Sequence, residues 1–304
     1  MKKLLLVDGH YYLYRSFYAI RGLTNSRGEP TNAIYGFTKA LRRMLLDVRP
    51  DFAAVCWDAG LPARRTALQP EYKQQRPEMP PDLKSQEAPM QQLVSWLGFG
   101  SIAVQGTEAD DLIASYARAH DGETVIATND KDILQMVSDR ITIYSTAKAD
   151  VVDNPGGFAL LGTKEVHKKW GVAPGQIGDV LALTGDSSDN IRGVEGIGLK
   201  TATVLIQQFG SVAAMLARPD LIDKEKVREK ILSASHQLLQ NLEMVRLDTD
   251  LELPMAIEDL GLCPKYPELL EAVAKYEFKT LLTELKNEAG VSASAALKQG
   301  DLWS

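Results

Sequence analysis

Cysteine and histidine are scarce in this sequence. Two cysteines, Cys56 and Cys263, build neither a disulfide framework nor a zinc knuckle. Four histidines leave little for a nitrogen-ligated metal, and only His10 stands close to the acids discussed below. No apolar run reaches the roughly 18–20 residues of a helical membrane span. The opening Met-Lys-Lys-Leu-Leu-Leu-Val-Asp has an apolar run of only Leu4–Val7, closed by an acid, which is too short for a signal peptide. A reducing cytoplasm is therefore the expected compartment. A basic excess is also missing: Lys and Arg total 34 against 40 Asp and Glu, a net charge of −6. That counts against a nucleic-acid binder, unless many acids surround cations that reverse the local field. There is no internal repeat and no low-complexity tract.

What is present is an alternation of strands and helices. Lys3–Val7, Phe52–Trp57, Ser101–Val104, Thr124–Ala127 and, more weakly, Ile141–Tyr144 read as strands. Ala33–Leu46, Leu83–Leu97, Asp110–Ala119 and Asp132–Val137 read as helices. This order predicts an α/β fold with a parallel sheet, whose ligands bind beyond the carboxyl ends of the strands. Between Asp58 and Leu83 the pattern breaks. Pro62, Pro70, Pro77, Pro80 and Pro81 interrupt regular structure, and Arg64, Arg65, Lys73 and Arg76 make the stretch basic. A loop of that length in a compact domain is functional or disordered. Beyond about Thr163 helical patterns dominate. The tail from Ala289 is rich in Ala and Ser and is expected to be loose.

The acids fall at strand ends. Asp8 and Asp58 each close a strand. Glu108, Asp110 and Asp111 follow the third strand, and Asp130 and Asp132 follow the fourth. Gathered at one sheet edge, these carboxylates would repel unless cations were bound. An all-oxygen ligand set selects Mg²⁺ or Mn²⁺. Any one of them has a plainer reading as a helix N-cap, Asp110, Asp111 and Asp132 above all.

Residues 184–201 contain Gly193, Gly196, Gly198, Lys200 and Thr201. They do not form a phosphate-binding P-loop, because Leu199 separates Gly198 from the lysine and no buried strand precedes them. A helix–turn–helix hairpin fits better. Gly196 and Gly198 let the backbone approach a phosphate, the N–H groups opening a Leu199–Gln208 helix bind it, and Lys200 and Thr201 add donors. A turn that only joins helices is the plainer alternative. Asp186 and Asp189 lie just before the hairpin and complete the acid set.

Taken in order, Val-Asp-Gly-His near Asp8, Tyr14–Arg15, Ser26–Pro30, Tyr35–Phe37, Trp57–Ala59, Glu-Ala-Asp-Asp-Leu-Ile-Ala from Glu108, Asp130–Asp132 and Thr184–Asn190 resemble the 5′ nuclease (flap endonuclease) family, in particular the 5′–3′ exonuclease domain of bacterial DNA polymerase I. The resemblance runs from about Lys3 to Leu285. It implies a PIN-like parallel sheet flanked by helices, a helical arch, and a C-terminal helical DNA-binding hairpin. The implied division is an α/β nuclease domain at 1–172 with its arch at about 60–82, a hairpin domain at 173–288, and a tail at 289–304. It implies a Mg²⁺-dependent 5′–3′ deoxyribonuclease that cuts near 5′ single-strand/duplex junctions by a two-metal mechanism, with Mn²⁺ as a substitute, and leaves 5′-phosphates.

Carried over residue by residue, the metal ligands are Asp8, Asp58, Glu108, Asp110, Asp111, Asp130, Asp132, Asp186 and Asp189. Lys73 and Arg76, with Asp8, Asp58 and Asp130, are the catalytic set. Arg15, Arg65, Tyr72, Gly196, Gly198, Lys200 and Thr201 are DNA contacts. Several members hold K⁺ at the hairpin through backbone carbonyls, here those of Ile191, Val194 and Ile197. The implied partner is DNA with 5′ flaps, nicks or ends, or an RNA primer strand, bound by a monomer working at the bacterial nucleoid. The sequence departs in the arch: Arg64 precedes Arg65, and Gln69 stands where an aromatic residue is expected, while Tyr72 keeps the second aromatic. A non-catalytic junction binder would lack some of the acids, and a small PIN-type ribonuclease would lack the hairpin.

Overall fold

Leu4, Leu5, Leu6 and Val7 are fully buried, as expected of an inner parallel strand covered on both faces. A computed structural model describes residues 1–146 and 157–300 of the chain. Its strands are β1 (Lys3–Asp8), β2 (Phe52–Trp57), β3 (Gly100–Ala103), β4 (Glu123–Ala127), β5 (Ile141–Ser145) and β6 (Ala159–Leu161), followed by the short pair β7 (Gly185–Asp186) and β8 (Ile191–Arg192). Its helices are α1 (Gly9–Ala19), α2 (Asn32–Val48), α3 (Ala63–Leu68), α4 (Pro81–Trp96), α5 (Ala109–Ala119), α6 (Thr163–Trp170), α7 (Ile177–Thr184), α8 (Leu199–Phe209), α9 (Val212–Ala217), α10 (Glu225–Ser233), α11 (Ser235–Val245), α12 (Tyr266–Lys275) and α13 (Lys279–Gly300). Among the described residues no helix is long and apolar enough to cross a membrane.

Two compact units are interleaved along the chain. The first comprises residues 1–8, 56–78 and 103–254, the second 9–55, 79–102 and 255–304. The expected division at residue 172 falls inside the first unit.

In the first unit the sheet runs β1-β4-β5-β6. β4 lies parallel to β1, with Lys3–Val7 opposite Glu123–Ala127, and β5 lies parallel to β4. β6 is antiparallel to β5. The carboxyl ends of β1 and β4 therefore fall on the same edge. Helix α5 covers β1 and buries Leu112, Ile113, Ala114 and Tyr116; Leu112 and Ile113 each contribute about 1.5–3 kcal/mol by leaving water. The helical part of this unit packs α7 against α8 and α11 through Val180, Leu181, Leu183, Leu205, Ile206 and Leu238.

The second unit pairs α1 with α2 so closely that a Cβ on Gly36 would stand 2.8 Å from the Ser16 Cβ. A buried amide network holds the start of α2. Gln86 Oε1 accepts the N–H groups of Ala33 and Ile34, and its Nε2 donates to Asn32 Oδ1 and the Asp82 carbonyl. Asn32 Nδ2 in turn donates to the carbonyls of Phe17 and Ile20 near the end of α1. Gln86 thus takes the place of an N-cap side chain, since Thr31 makes no cap bond.

Several elements differ from expectation. The predicted helix Asp132–Val137 is a 3₁₀ turn, Asp132–Met136. Asp130 Oδ1 takes the Asp132 N–H at 2.8 Å, and Val137 is already extended, so the segment is too short to nucleate an α-helix. Helix α4 starts at Pro81, a residue preset for the first helical position. Strand β3 begins one residue early, at Gly100. Helix α1 escaped the periodicity reading because Tyr11, Tyr12, Tyr14, Phe17 and Tyr18 put aromatic rings around it. Helix α13 continues to Gly300, into the stretch expected to be loose; residues 301–304 of that stretch lie outside the described residues.

Replacing Gln86 with Leu orphans two helix N–H groups and the Asn32 side-chain oxygen. The expected cost is about 3 kcal/mol in urea unfolding, with Gln86→Glu, which keeps the acceptor at the helix start, intermediate. A Gln86→Leu protein as stable as the parent would remove this network from the account.

Candidate active site

The acids are positioned by the ends of β1 and β4, by the chain after β2, by the first turn of α5, and by the β7–β8 turn. Asp8 is the last residue of β1. Its Oδ2 accepts the Thr128 hydroxyl at 2.9 Å. Thr128 Oγ1 accepts the Asp130 N–H at 3.1 Å, and Asp130 Oδ1 accepts the Asp132 N–H. One continuous chain of hydrogen bonds thereby runs from the end of β1 through the loop after β4.

Asp58 crosses to α5, where its Oδ1 accepts the Ala109 N–H at 2.8 Å. This settles the capping alternative for α5. Its N-cap residue, Glu108, makes no side-chain cap bond, and Asp110 and Asp111 lie inside the first turn. The helix start is satisfied by an acid from another segment.

Asp132, Asp186 and Asp189 each offer a carboxylate oxygen within 4.8 Å of the others, the arrangement a bound cation needs. Among the described residues, Asp110 Oδ1 and Asp132 Oδ1 are buried side-chain oxygens with no hydrogen-bond partner. Buried polar atoms are ordinarily satisfied, so these two fit ligand atoms that await a metal. The donor set is wholly oxygen, which suits a hard divalent ion.

Electrostatics carry the same sign. Burial, and after it the charges of Asp130, Asp8 and Asp58, push Asp110 well above the usual carboxylate range. Asp132 is pushed up by burial and then by Asp130, Asp189 and Asp186. Burial also raises Asp130, against a hydrogen bond from the Asp132 N–H. Asp186 goes the other way: burial opposes its charge, but hydrogen bonds from Ser188 and Lys131 prevail and lower it.

The basic, proline-rich stretch folds onto these acids. Arg65 is buried, 3% exposed, and pairs with both Glu108 and Asp111. Tyr72, 2% exposed, points its hydroxyl at Glu108 and at Asp189 Oδ2, 3.1 Å away. Both were expected to face DNA; here both face carboxylates. Lys73 sits at φ +55°, a costly conformation for a residue with a side chain. Its N–H bonds the Asp189 carbonyl, and its ammonium pairs with Glu108 and stands 3.8 Å from Asp189. Burial opposes that charge, and attraction from Asp189 and Glu108 outweighs it and raises the Lys73 pKa. Arg76, more exposed, donates to Asp189 Oδ1 at 2.6 Å. Gln69, in place of the expected aromatic, donates its amide to the Asn190 carbonyl.

The hairpin takes shape around β7–β8, with α7 before it and α8 after it. Gly196 adopts φ +74°, and the Lys230 ammonium presses against the place a Cβ would take. Gly198 is the N-cap of α8 at φ −88°, so it needs no glycine-specific conformation. Lys200 and Thr201 occupy the first turn of α8, with Lys200 exposed. The side chains of Ile191, Val194 and Ile197 are buried and anchor the turn; the Val194 carbonyl accepts the Ile197 N–H at 3.0 Å. In the second unit, Arg15 lies on α1 with its guanidinium 6.0 and 5.7 Å from the Tyr11 and Tyr12 ring centres.

Three contributors were missed from sequence. Thr128 links Asp8 to Asp130. Lys131 pairs with Asp186 at 2.9 Å, and its place between Asp130 and Asp132 was the available signal. Lys230, from α10, donates to the Glu195 carbonyl beside Gly196, and nothing in its local sequence marks it.

Residues 3–171 match the profile described as the 5′-3′ exonuclease N-terminal resolvase-like domain, and residues 172–268 match the 5′-3′ exonuclease C-terminal SAM fold. The chain belongs to the 5′–3′ exonuclease family. A 5′-3′ exonuclease of Aquifex aeolicus is 36% identical over 289 residues, which cover 94% of this chain and 96% of that one. The DNA polymerase I of Thermus thermophilus is 39% identical over 285 residues, 93% of this chain, and that of Bacillus subtilis 35% over 292. The chain spans about a third of the length of these polymerase relatives (33% in each). The T5 D15 protein co-crystallised with metal ions shares the fold at TM-score 0.66 and 20% identity, covering 94% of this chain and 98% of that one. The catalytic core of Rad2 in complex with DNA substrate does so at TM-score 0.59 and 17%, covering 90% and 88%.

Because the acids repel one another, Asp132→Asn should raise the stability of the protein in EDTA by about 1 kcal/mol and weaken divalent-cation binding by about 10–100-fold. Thermal melts and calorimetry with Mn²⁺ measure the two effects. Lower stability in EDTA with unchanged cation affinity would contradict the repulsion account.

Proposed function

We propose that this chain is a Mg²⁺-dependent 5′–3′ deoxyribonuclease that hydrolyses DNA phosphodiesters near 5′ single-strand/duplex junctions, as an exonuclease and flap endonuclease, and leaves 5′-phosphates. The observation that carries this reading is the meeting of Asp132, Asp186 and Asp189, with the orphaned oxygens of Asp110 and Asp132, in a family member. Asp132, Asp186 and Asp189 would hold one ion, and Asp8, Asp58, Asp110 and Asp130 the other. Ions held there would supply an activated water and stabilise the leaving 3′ oxygen, with Mn²⁺ able to replace Mg²⁺.

The protein's own groups do the rest. Lys73 and Arg76 pair with acids in this structure; in this reading they would turn to the scissile phosphate and offset its developing charge. Gly196, Gly198, Lys200 and Thr201 hold duplex phosphates without reading sequence, and Arg15 contacts the strand from α1. The carbonyls of Ile191, Val194 and Ile197 form the K⁺ site of this reading. The nuclease part occupies 1–172 and the DNA-binding part 173–288, acting as a cytoplasmic monomer at the nucleoid on flaps, nicks, ends or RNA primers.

Asp130→Asn should lower Mg²⁺-dependent cleavage of a labelled 5′-flap duplex by more than about 100-fold. Near-parental cutting by that variant, or cutting that survives EDTA, would overturn the assignment. At the hairpin, Lys200→Ala and Lys230→Ala should each reduce the salt dependence of DNA binding by about one unit of log–log slope, equally for unrelated sequences. Unchanged slopes would remove those ammonium groups from the interface.

A further inference from the structure

A guanidinium carries five N–H donors in a fixed fork and accepts nothing. In Arg65 all five are engaged. Nε donates to the Met244 carbonyl at 3.0 Å. Nη1 donates to Glu108 Oε2 and to Asp111 Oδ2. Nη2 donates to Asp111 Oδ1 at 2.8 Å and to the Arg246 carbonyl at 2.9 Å. The side chain is buried, and the two carbonyls belong to the last turn of α11 and its C-cap residue, where the helix dipole favours a cation. No donor remains for a phosphate. Asp111 is equally committed: besides meeting the fork end-on with both oxygens, its Oδ1 accepts the Asp248 N–H.

We infer that Arg65 is a positioning residue for Glu108, locked by Asp111 and the end of α11, rather than a contact to DNA. The inference rests on the nuclease reading of the acid site. Glu108 is the point where the lock reaches that site. One of its oxygens is held by Arg65 and the other by Lys73, with the Tyr72 hydroxyl touching both. Arg65 sits in α3, at the base of the basic stretch that carries Lys73 and Arg76. Its lock therefore sets where Glu108 stands and where the following Lys73–Arg76 segment begins. Bidentate geometry is the essential property, and lysine cannot supply it.

The test separates position from charge. Arg65→Lys keeps the charge and loses the fork. Expected is a fall in kcat on a 5′-flap duplex of about 10–100-fold. The Kd for the same duplex in EDTA should stay within about twofold, with an unchanged salt slope. Asp111→Asn should give the same pattern. The double variant should be no worse than the poorer single one, because the residues act as one unit. A Kd weakened more than about fivefold with the slope reduced by about one unit would make Arg65 a phosphate contact and overturn the inference. Losses in kcat that multiply in the double variant would overturn it too. Circular dichroism at the assay temperature checks folding; if Arg65→Lys melts, Asp111→Asn carries both readouts. The affinity arm needs no cleavage. If the unaltered protein fails to cut the flap, the nuclease reading fails while the arm still reports on Arg65.

Discussion

Like charges brought together in a poorly hydrated place must be countered, and the geometry of the first unit follows from how this chain counters them. Carboxylates arrive from β1, from the segment after β2, from α5, from the loop after β4 and from the β7–β8 turn. Four cations answer them in the described structure: Arg65 at Glu108 and Asp111, Lys73 at Glu108 and Asp189, Arg76 at Asp189, and Lys131 at Asp186. The compensation is uneven. Asp110 and Asp132 keep buried oxygens with no partner, and both are pushed toward protonation by burial and by neighbouring acids. The site is thus neutralised on its Arg65 side and left electrostatically hungry on the other, which is where a divalent ion has most to gain.

That unevenness is a stability cost concentrated at a functional place. Removing one partner of a buried ion pair leaves an uncompensated charge, whereas removing an uncompensated charge relieves strain. The two kinds of acid in this cluster should therefore respond oppositely to neutralisation, although they look alike in sequence. Asp111, with its oxygens on a guanidinium fork and a backbone N–H, belongs to the first kind. Asp132 belongs to the second.

Much of this was legible in the sequence, for identifiable reasons. A buried run ending in an acid, Leu4–Val7 before Asp8, marks a parallel strand and puts its acid on the edge where β4 also ends. Leu199 between Gly198 and Lys200 excluded a P-loop, and Gly196 and Gly198 pointed to a hairpin. Arg65 and Tyr72 were placed on DNA by the family resemblance alone. Their burial depends on Met244, Arg246 and Asp189, far along the chain, which no local pattern predicts. Asp58 and Asp110 were both read as ligands, with Asp110 also a possible cap; the N–H that opens α5 is taken by Asp58, whose carboxylate the chain after β2 delivers there. Lys230 was invisible for the same reason, since it reaches Gly196 from another helix.

The Asp58 bond to the Ala109 amide has a consequence for the newly made chain. The turn that carries Asp110 and Asp111 is completed by a residue synthesised about fifty positions earlier, and that residue is itself one of the acids. Closing the first turn of α5 and bringing Asp58 to the segment of Asp110 and Asp111 are then the same contact. A ribosome-bound chain that has emerged only through β2 carries Asp58 but not yet the amide it meets, so this contact forms only once α5 has emerged.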